Sequence, residues 1–374
     1  MNFSIRTVKE SEGIEAIWRR LAPYQDVSRI TARLMAQRKI EGDQNKNVQK
    51  QVEQLAFSLT QAKEYFRSAE ISGPTTRALM AYYGLIALAN AEILWRGDGM
   101  SSFEKRNGRF NAHGLELVHD KDVGQFGARP SPGVPGLYGL WRSFATHIPH
   151  YSSRTIRHGN TGSTETVDTT STVTKLCDLP SRSDTMSLLD CLKHIPAMRN
   201  ALDTYGEETK LCRGSISESL TLDDSGVLNT RTRTYTFHHI TDEHLDDVGS
   251  KFLISPRSVP EFEIGRVSTG LGVVWRADLQ TPGGSLFAMP EIFADSANEV
   301  HFVGSGDHLN EFGYYYTALF IAGMLTRYYP HIWIRELRAN SKTATLIDDL
   351  VHNALIRVPL LTASALEERV YIYV

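Results

Sequence analysis

The chain has 374 residues, 41% of them hydrophobic and 22% charged, with 40 Lys and Arg against 43 Asp and Glu and a formal net charge of -3. These are ordinary globular values, so they exclude a disordered or collagenous chain and any whole-protein attraction to nucleic acid, and the length fits one elaborated domain or two to three packed subdomains. Cys177, Cys191 and Cys212 form no CxxC pair, which gives no support to a disulfide framework or a cysteine-rich zinc site and leaves buried free thiols.

The N-terminal stretch MNFSIRTVKESEGIEAIW lacks the continuous apolar region of a secretory signal, so a cytoplasmic location is expected. Within it, Ile14, Ile17, Trp18 and Leu21 recur at helical spacing until Pro23 stops the pattern. Further helices are expected over 26–40 and 48–70, the second with Val52, Leu55, Phe57, Leu59, Ala62, Tyr65 and Phe66 as its apolar members. The stretch from Gly73 to Gly97 organises the rest. Ser72 can cap it, Pro74 presets its first turn, and Gly97 can end it in the left-handed region. Apolar side chains cover nearly every angle around its axis, which predicts a helix buried in a core. Arg77 and Glu92 bracket 14 uncharged residues, short of the roughly 20 a membrane span requires. The short turn before it makes the helices 48–70 and 73–97 antiparallel neighbours.

Beyond Gly97, glycine and proline abound and helical period fades, which reads as a long loop to about residue 140. A short element over 141–151 precedes a Thr- and Ser-rich tract that reads as a hairpin or a mobile excursion. Residues 186–202 turn helical, with Pro196 expected to kink or split them. The run NTRTRTYTF alternates with period two, and SISESLTL, FEIGRVST, GVVWRADL and GSLFAMP are further strand candidates, so an antiparallel sheet packed on helices is expected here. HLNEFGYYYTALFIAGMLTRYYPHIW is again apolar all round and stops at Pro330, and TATLIDDLVHNALIRVPLL supplies one more amphipathic helix.

The expected fold is α+β, with N- and C-terminal helical regions forming a common helical core and an antiparallel sheet from the middle of the chain. Its parts are a helical bundle over 1–97, a loop-rich and helical connector over 98–205, a β region over 206–305 and a C-terminal helical region over 306–374. Gly84 and Gly323, one in each apolar helix, are expected to mark close helix approaches.

Pro74, Ala81-Tyr82-Tyr83-Gly84 and Asn90-Ala91 on the central helix, His113-Gly114-Leu115 after it, and Leu319-Phe320, Met324-Leu325, Arg327-Tyr328-Tyr329-Pro330 and Trp333 near the end together resemble the YaaC-like family of bacterial proteins. The resemblance implies no established reaction and no catalytic set. It points instead to an interaction role in a multi-gene bacterial system, phage defence included, with other protein subunits as partners.

Arg106 and His113 have the spacing of the HEPN ribonuclease motif, in which the histidine would work as general base or acid on a ribose 2′-hydroxyl and the arginine would stabilise charge on the phosphate without a metal. That motif normally opens a helix, whereas GRFNAHGL reads as a turn, and the competing reading makes His113 a polar pin between its loop and the central helix. Arg142 and His147 are the alternative pair. The groups His147, His150, His158 and His238, His239, Asp242, Glu243, His244 match no metal template, and Gly304-Ser305-Gly306-Asp307-His308 lacks the GK[ST] of a phosphate loop and reads as a capping turn. No metal and no cofactor is expected.

Arg231 and Arg233 share one side of a strand, while Arg327, Arg335 and Arg338 are interleaved with aromatics in TRYYPHIWIRELR, as a nucleic-acid or protein surface would require. The stronger reading of Arg327 is a buried structural arginine paired with Glu311 or Glu336. No GxSxG or comparable nucleophile signature is present. The expected function is therefore a non-enzymatic interaction or scaffold subunit, with a metal-independent HEPN-like endoribonuclease as the alternative. Nucleic acid and a second copy of the chain stay open as partners.

Overall fold

The computed structural model describes residues 5–8, 13–106, 108–146, 151–159, 161–170, 175–178, 184–238, 262–266, 272–279, 292–296, 299–303 and 309–373. After a short strand β1 (Ile5–Val8), apolar residues at helical spacing build α1 (Gly13–Leu21), α2 (Val27–Arg38), α3 (Asn45–Ile71) and α4 (Arg77–Arg96). Asp26 starts α2 by accepting the Arg29 backbone N–H at 3.1 Å, which satisfies one of the free donors of the first turn. The apolar stripe of α3 is buried at Val52, Leu55, Leu59, Ala62 and Phe66 and half-buried at Tyr65, but Phe57 stands 59% exposed and is not the core residue the sequence suggested.

Helix α4 differs from its expected boundaries in ways that have physical reasons. Ser72 closes α3, its N–H bonding the Ser68 carbonyl, and α4 starts only at Arg77. Gly97 has φ -74°, so it is not a left-handed cap; its role is space, because a Cβ there would lie 2.4 Å from Ser101 Oγ. The last turn is tied instead by Gln51 of α3, whose buried amide donates to the Leu94 carbonyl at 2.6 Å and accepts from the Gly99 and Ser101 amides. Among the described helices, α4 is long and apolar enough to cross a membrane, contrary to the count between its charges. Of its most apolar window 72% is buried inside the protein.

The glycine-rich stretch after α4 is structured. It forms β2 (Leu115–Val118), β3 (Gly127–Pro130) and α5 (Gly136–Phe144), and β3 also pairs with a two-residue strand defined below. The Thr- and Ser-rich tract is a hairpin of β4 (Tyr151–His158) and β5 (Thr164–Thr170). Then β6 (Met186–Ser187) completes the three-stranded antiparallel sheet, and α6 (Leu188–Lys193) and α7 (Arg199–Thr204) follow, divided at Pro196 as expected. The large sheet contains β7 (Leu211–Leu222), β8 (Leu228–His238), β9 (Phe262–Arg266), β10 (Gly272–Leu279), β11 (Ile292–Ser296) and β12 (Glu299–Val303). Its order is β11-β12-β7-β8-β10-β9, with the β4 and β5 hairpin attached to β7. Every pairing in it is antiparallel except that of β4 with β7, which is parallel. The strand candidate GSLFAMP lies outside the described residues.

The C-terminal region returns to the core with α8 (Glu311–Tyr328), capped by Asn310, α9 (Pro330–Arg338) and α10 (Lys342–Glu367). Strand β13 (Val370–Tyr373) then pairs in parallel with β1, joining the two ends of the described chain. The N- and C-terminal helices share one hydrophobic core, so the fold is α+β as the sequence implied. Gly323 marks the approach of α8 to α4, since a Cβ there would sit 3.2 Å from the Tyr82 Cβ. Gly84 marks a different contact. Its space is filled by the Phe66 ring of α3, which an added Cβ would meet at 2.7 Å.

A carboxyl of α4 lies inside this core. Glu92 of α4, 4% exposed, accepts from the Trp141 indole at 2.8 Å, and Arg96 Nε stands 3.9 Å away while its guanidinium bonds Thr146 and the Ala365 carbonyl. Burial pushes the Glu92 carboxyl above its ordinary value of 4.5, against the opposing pull of Arg96 and Trp141. A carboxyl raised in the folded state contributes stability that is complete below its unfolded pKa and is lost as pH rises through the folded one. Glu92→Gln keeps an acceptor for Trp141 and cannot ionise. Its stability deficit relative to wild type should therefore be smaller at pH 7 than at pH 4, read from denaturant midpoints at the two values; a deficit that widens with pH would mean that Arg96 needs the charge.

Candidate functional site

The residues singled out as a ribonuclease pair are held at different points of α4. Arg106 donates through Nη1 to Asn90 Oδ1 at 2.5 Å and through Nε to the Ser101 carbonyl at 3.0 Å, and its guanidinium lies 4.7 Å over the Phe103 ring. Burial pulls its pKa down to about 10. His113 meets the Tyr82 hydroxyl through Nδ1 at 2.8 Å. Tyr82 and Asn90 are eight residues apart in one helix, roughly 12 Å along its axis. The structure does not bring Arg106 and His113 together.

The loop that carries His113 is fastened to the start of α5. The amides of Leu137 and Tyr138 donate to the carbonyls of Ala112 and His113 at 2.8 and 3.0 Å. Gly114 makes that approach feasible: it has φ +80°, and any Cβ would lie 2.1 Å from the Pro135 carbonyl oxygen. The Tyr82 hydroxyl is buried, burial raises its pKa far above the tyrosine range, and its proton has one available acceptor among the described residues, His113 Nδ1. This assigns the proton of neutral His113 to Nε2. Burial lowers the His113 pKa, and the nearby Arg327 charge lowers it further, so the ring is neutral at pH 7 and offers Nε2–H as a donor. An NMR titration should place His113 below the ordinary histidine value of 6.5, and Arg327→Ala should move it upward by removing the second cause; an unmoved titration would mean that burial alone sets it.

The other flagged groups do not assemble. Arg142 is half-buried on α5, and its proposed partner His147 lies outside the described residues, as do His150, His239, Asp242, Glu243, His244 and the stretch 304–308. His158 stands 3.5 Å from Glu165 across the β4 and β5 hairpin. Among the described residues no group of three His, Cys, Asp or Glu could hold a metal ion. Cys191 is buried, but Cys177 is exposed. The backbone register of β7 and β8 sets Glu218 opposite Arg233 and Leu220 opposite Arg231.

Arg327 is where the sequence reading needs correcting. Glu311 is bonded to Arg357 by two contacts of 2.7 Å, and Glu336 stands 3.6 Å from Arg335. Arg327 is exposed at the end of α8, donates to the Tyr83 hydroxyl at 2.7 Å and lies 5.0 Å over the Tyr328 ring. No carboxylate among the described residues lies within ion-pair distance of it. Tyr83 in turn stacks on Tyr65 of α3 at 5.6 Å, and Tyr329 meets His119 edge to face at 4.5 Å. Tyr65 and His119 carried no signal in the sequence, since one read as an apolar helix position and the other as a loop residue. By contrast, Arg77 at the start of α4 is bonded to Asp348 at 2.6 Å, in a groove of about 480 Å³ lined by Trp333 and Leu337 among others, so its charge is already matched.

Three segments distant in sequence, Tyr82-Tyr83, His113 and Arg327-Tyr328-Tyr329, thus meet on one side of the helical core. A mixed α+β protein with a cation and aromatic cluster at the junction of α4 and α8 is what the fold and site define. The chain matches the family described as YaaC-like Protein over residues 23–366 and belongs to that family. No curated protein and no solved structure matches it.

Proposed function

We propose that this protein is a non-enzymatic interaction subunit of a multi-protein bacterial system, such as phage defence, working in the cytoplasm and using the face around His113 and Arg327 to hold a partner. The observation that carries the reading is the convergence of the three segments on an exposed cation, Arg327, which has no carboxylate partner among the described residues and whose orientation is held by Tyr83. A group fixed in place and left uncompensated is suited to capture an anionic surface. The separate anchoring of Arg106 and His113, and the use of His113 Nδ1 as an acceptor for Tyr82, speak against a base poised on a ribose hydroxyl.

The test is affinity purification of the tagged full-length protein from its native host, with mass spectrometry. A stoichiometric partner should accompany the wild type and be depleted in Arg327→Ala, and the purified protein should leave RNA intact. RNA cleavage that disappears in His113→Ala would overturn the reading in favour of the HEPN-like endoribonuclease built on Arg106 and His113 or on Arg142 and His147.

A further inference from the structure

The face that begins at Arg327 continues onto α9. Pro330 ends α8 and opens α9, and the Trp333 indole donates to the Pro74 carbonyl at 3.1 Å, which fixes the inner side of α9 against the start of α4. The outer side carries His331, Ile334, Arg335 and Arg338, all exposed. Their spacing of three and four residues puts them in one stripe, and His331 to Arg338 covers about 10 Å of helix. Tyr328, 55% exposed, stands at the head of this stripe with one ring face against the Arg327 guanidinium. The one acid on α9, Glu336, is half-buried and reaches only Arg335, at 3.6 Å, so it leaves Arg327 and Arg338 uncompensated on this helix.

We propose that this stripe, from Arg327 and Tyr328 to Arg338, binds a single strand of nucleic acid, with backbone phosphates on Arg327, Arg335 and Arg338 and a base stacked on Tyr328. The proposal rests on the reading of the Arg327 face as the binding surface and names what it takes. Exposed cations in a row track a charged backbone, and an exposed aromatic ring offers a sequence-tolerant platform for a base. An acidic protein partner would pair with the cations but would leave Tyr328 without a role. A mononucleotide would meet Arg327 and Tyr328 but would not span to Arg338. The net charge of -3 gives no long-range attraction, so binding must come from this local face and must be strongly salt-dependent.

The experiment is fluorescence anisotropy of the purified full-length protein with labelled oligo(U) and oligo(dT) of about a dozen nucleotides, and with labelled AMP as the mononucleotide arm. Three phosphate contacts on a single strand predict a log-log salt slope of about -2, which is roughly a twentyfold loss of affinity between 50 and 200 mM salt. Arg335→Ala should bring the slope to about -1.4. Tyr328→Ala should weaken binding about fivefold or more with the slope unchanged. Both side chains are exposed, so unchanged thermal midpoints would show that the variants are folded. Oligonucleotide binding that AMP does not match supports the proposal. It is overturned if neither oligonucleotide binds at micromolar protein at 50 mM salt, if AMP binds as tightly as the oligonucleotides, or if Arg335→Ala and Tyr328→Ala bind like wild type. Depletion of a protein partner by Arg327→Ala without oligonucleotide binding would overturn this proposal and leave the interaction reading standing, while oligonucleotide binding without any protein partner would do the reverse.

Discussion

Arg357→Ala should lower the unfolding free energy by about 3–5 kcal/mol, the range expected when one partner of a buried ion pair is removed and the other stays. The pair is Glu311 of α8 and Arg357 of α10, joined by two hydrogen bonds of 2.7 Å with side chains 3% and 13% exposed. Glu311 lies in the first turn of α8, so the carboxylate has two favourable neighbours, the guanidinium and the positive end of the helix dipole. Without the guanidinium it would remain buried with one of them. The pair also ties α8 to α10, so its loss should loosen two walls of the core together. The double variant Glu311→Leu with Arg357→Met removes both charges and refills much of the volume, and it should cost far less than Arg357→Ala. Denaturant midpoints of the two proteins check this; equal losses would mean that packing around the pair, and not the stranded charge, sets the cost.

Much of the helical architecture was legible in the sequence because burial writes itself as period. The stripe of α3, the all-round apolarity of α4 and α8, and the break at Pro196 each follow from which faces are covered. The alternating threonines of β8 announced a strand through their period of two and their β-branching. What was not legible depends on pairing at a distance. Strands β1 and β13 have four residues each and gain their stability from one another across the whole chain, so neither carries a pattern of its own. Strands β2 and β3 are hidden in a glycine- and proline-rich stretch whose order comes from the start of α5 and from β6.

The site was legible residue by residue and not as an arrangement. Arg327 was recognisable as a cation among aromatics, but which carboxylates are free cannot be read from composition. Glu311 is taken by Arg357, 46 residues further on, so the partner that would have buried Arg327 is already engaged. Spacing likewise suggested that Arg106 and His113 act together, yet a seven-residue separation in a loop says nothing of where each side chain finds its bond. Asn90 and Tyr82, about two turns apart on a helix already formed, decide that.

Gly84→Leu is the other substitution with a large expected effect, about 3 kcal/mol or more, at the upper end of the cost of overfilling a packed core. The first carbon of the new side chain would already lie 2.7 and 2.8 Å from two carbons of the Phe66 ring, distances that require the ring or the helix to move. Phe66 is 3% exposed and packs its other side on Trp18 at 5.9 Å between ring centres, so it has little room to retreat without disturbing α1. The alternative is for α3 and α4 to separate. That would also pull Tyr65 from Tyr83 and so loosen the hydroxyl that holds Arg327, which links this core position to the binding face. Gly84→Ala should cost less, since it adds one carbon against the Phe66 ring and not the three that leucine carries beyond it, although that carbon too requires the ring to shift. Phe66→Leu placed together with Gly84→Leu makes space where it is needed, and the double variant should be more stable than the sum of the single losses predicts by about 1 kcal/mol or more. Chemical denaturation of the four proteins measures that coupling, and strict additivity would show that the two side chains do not compete for the same volume.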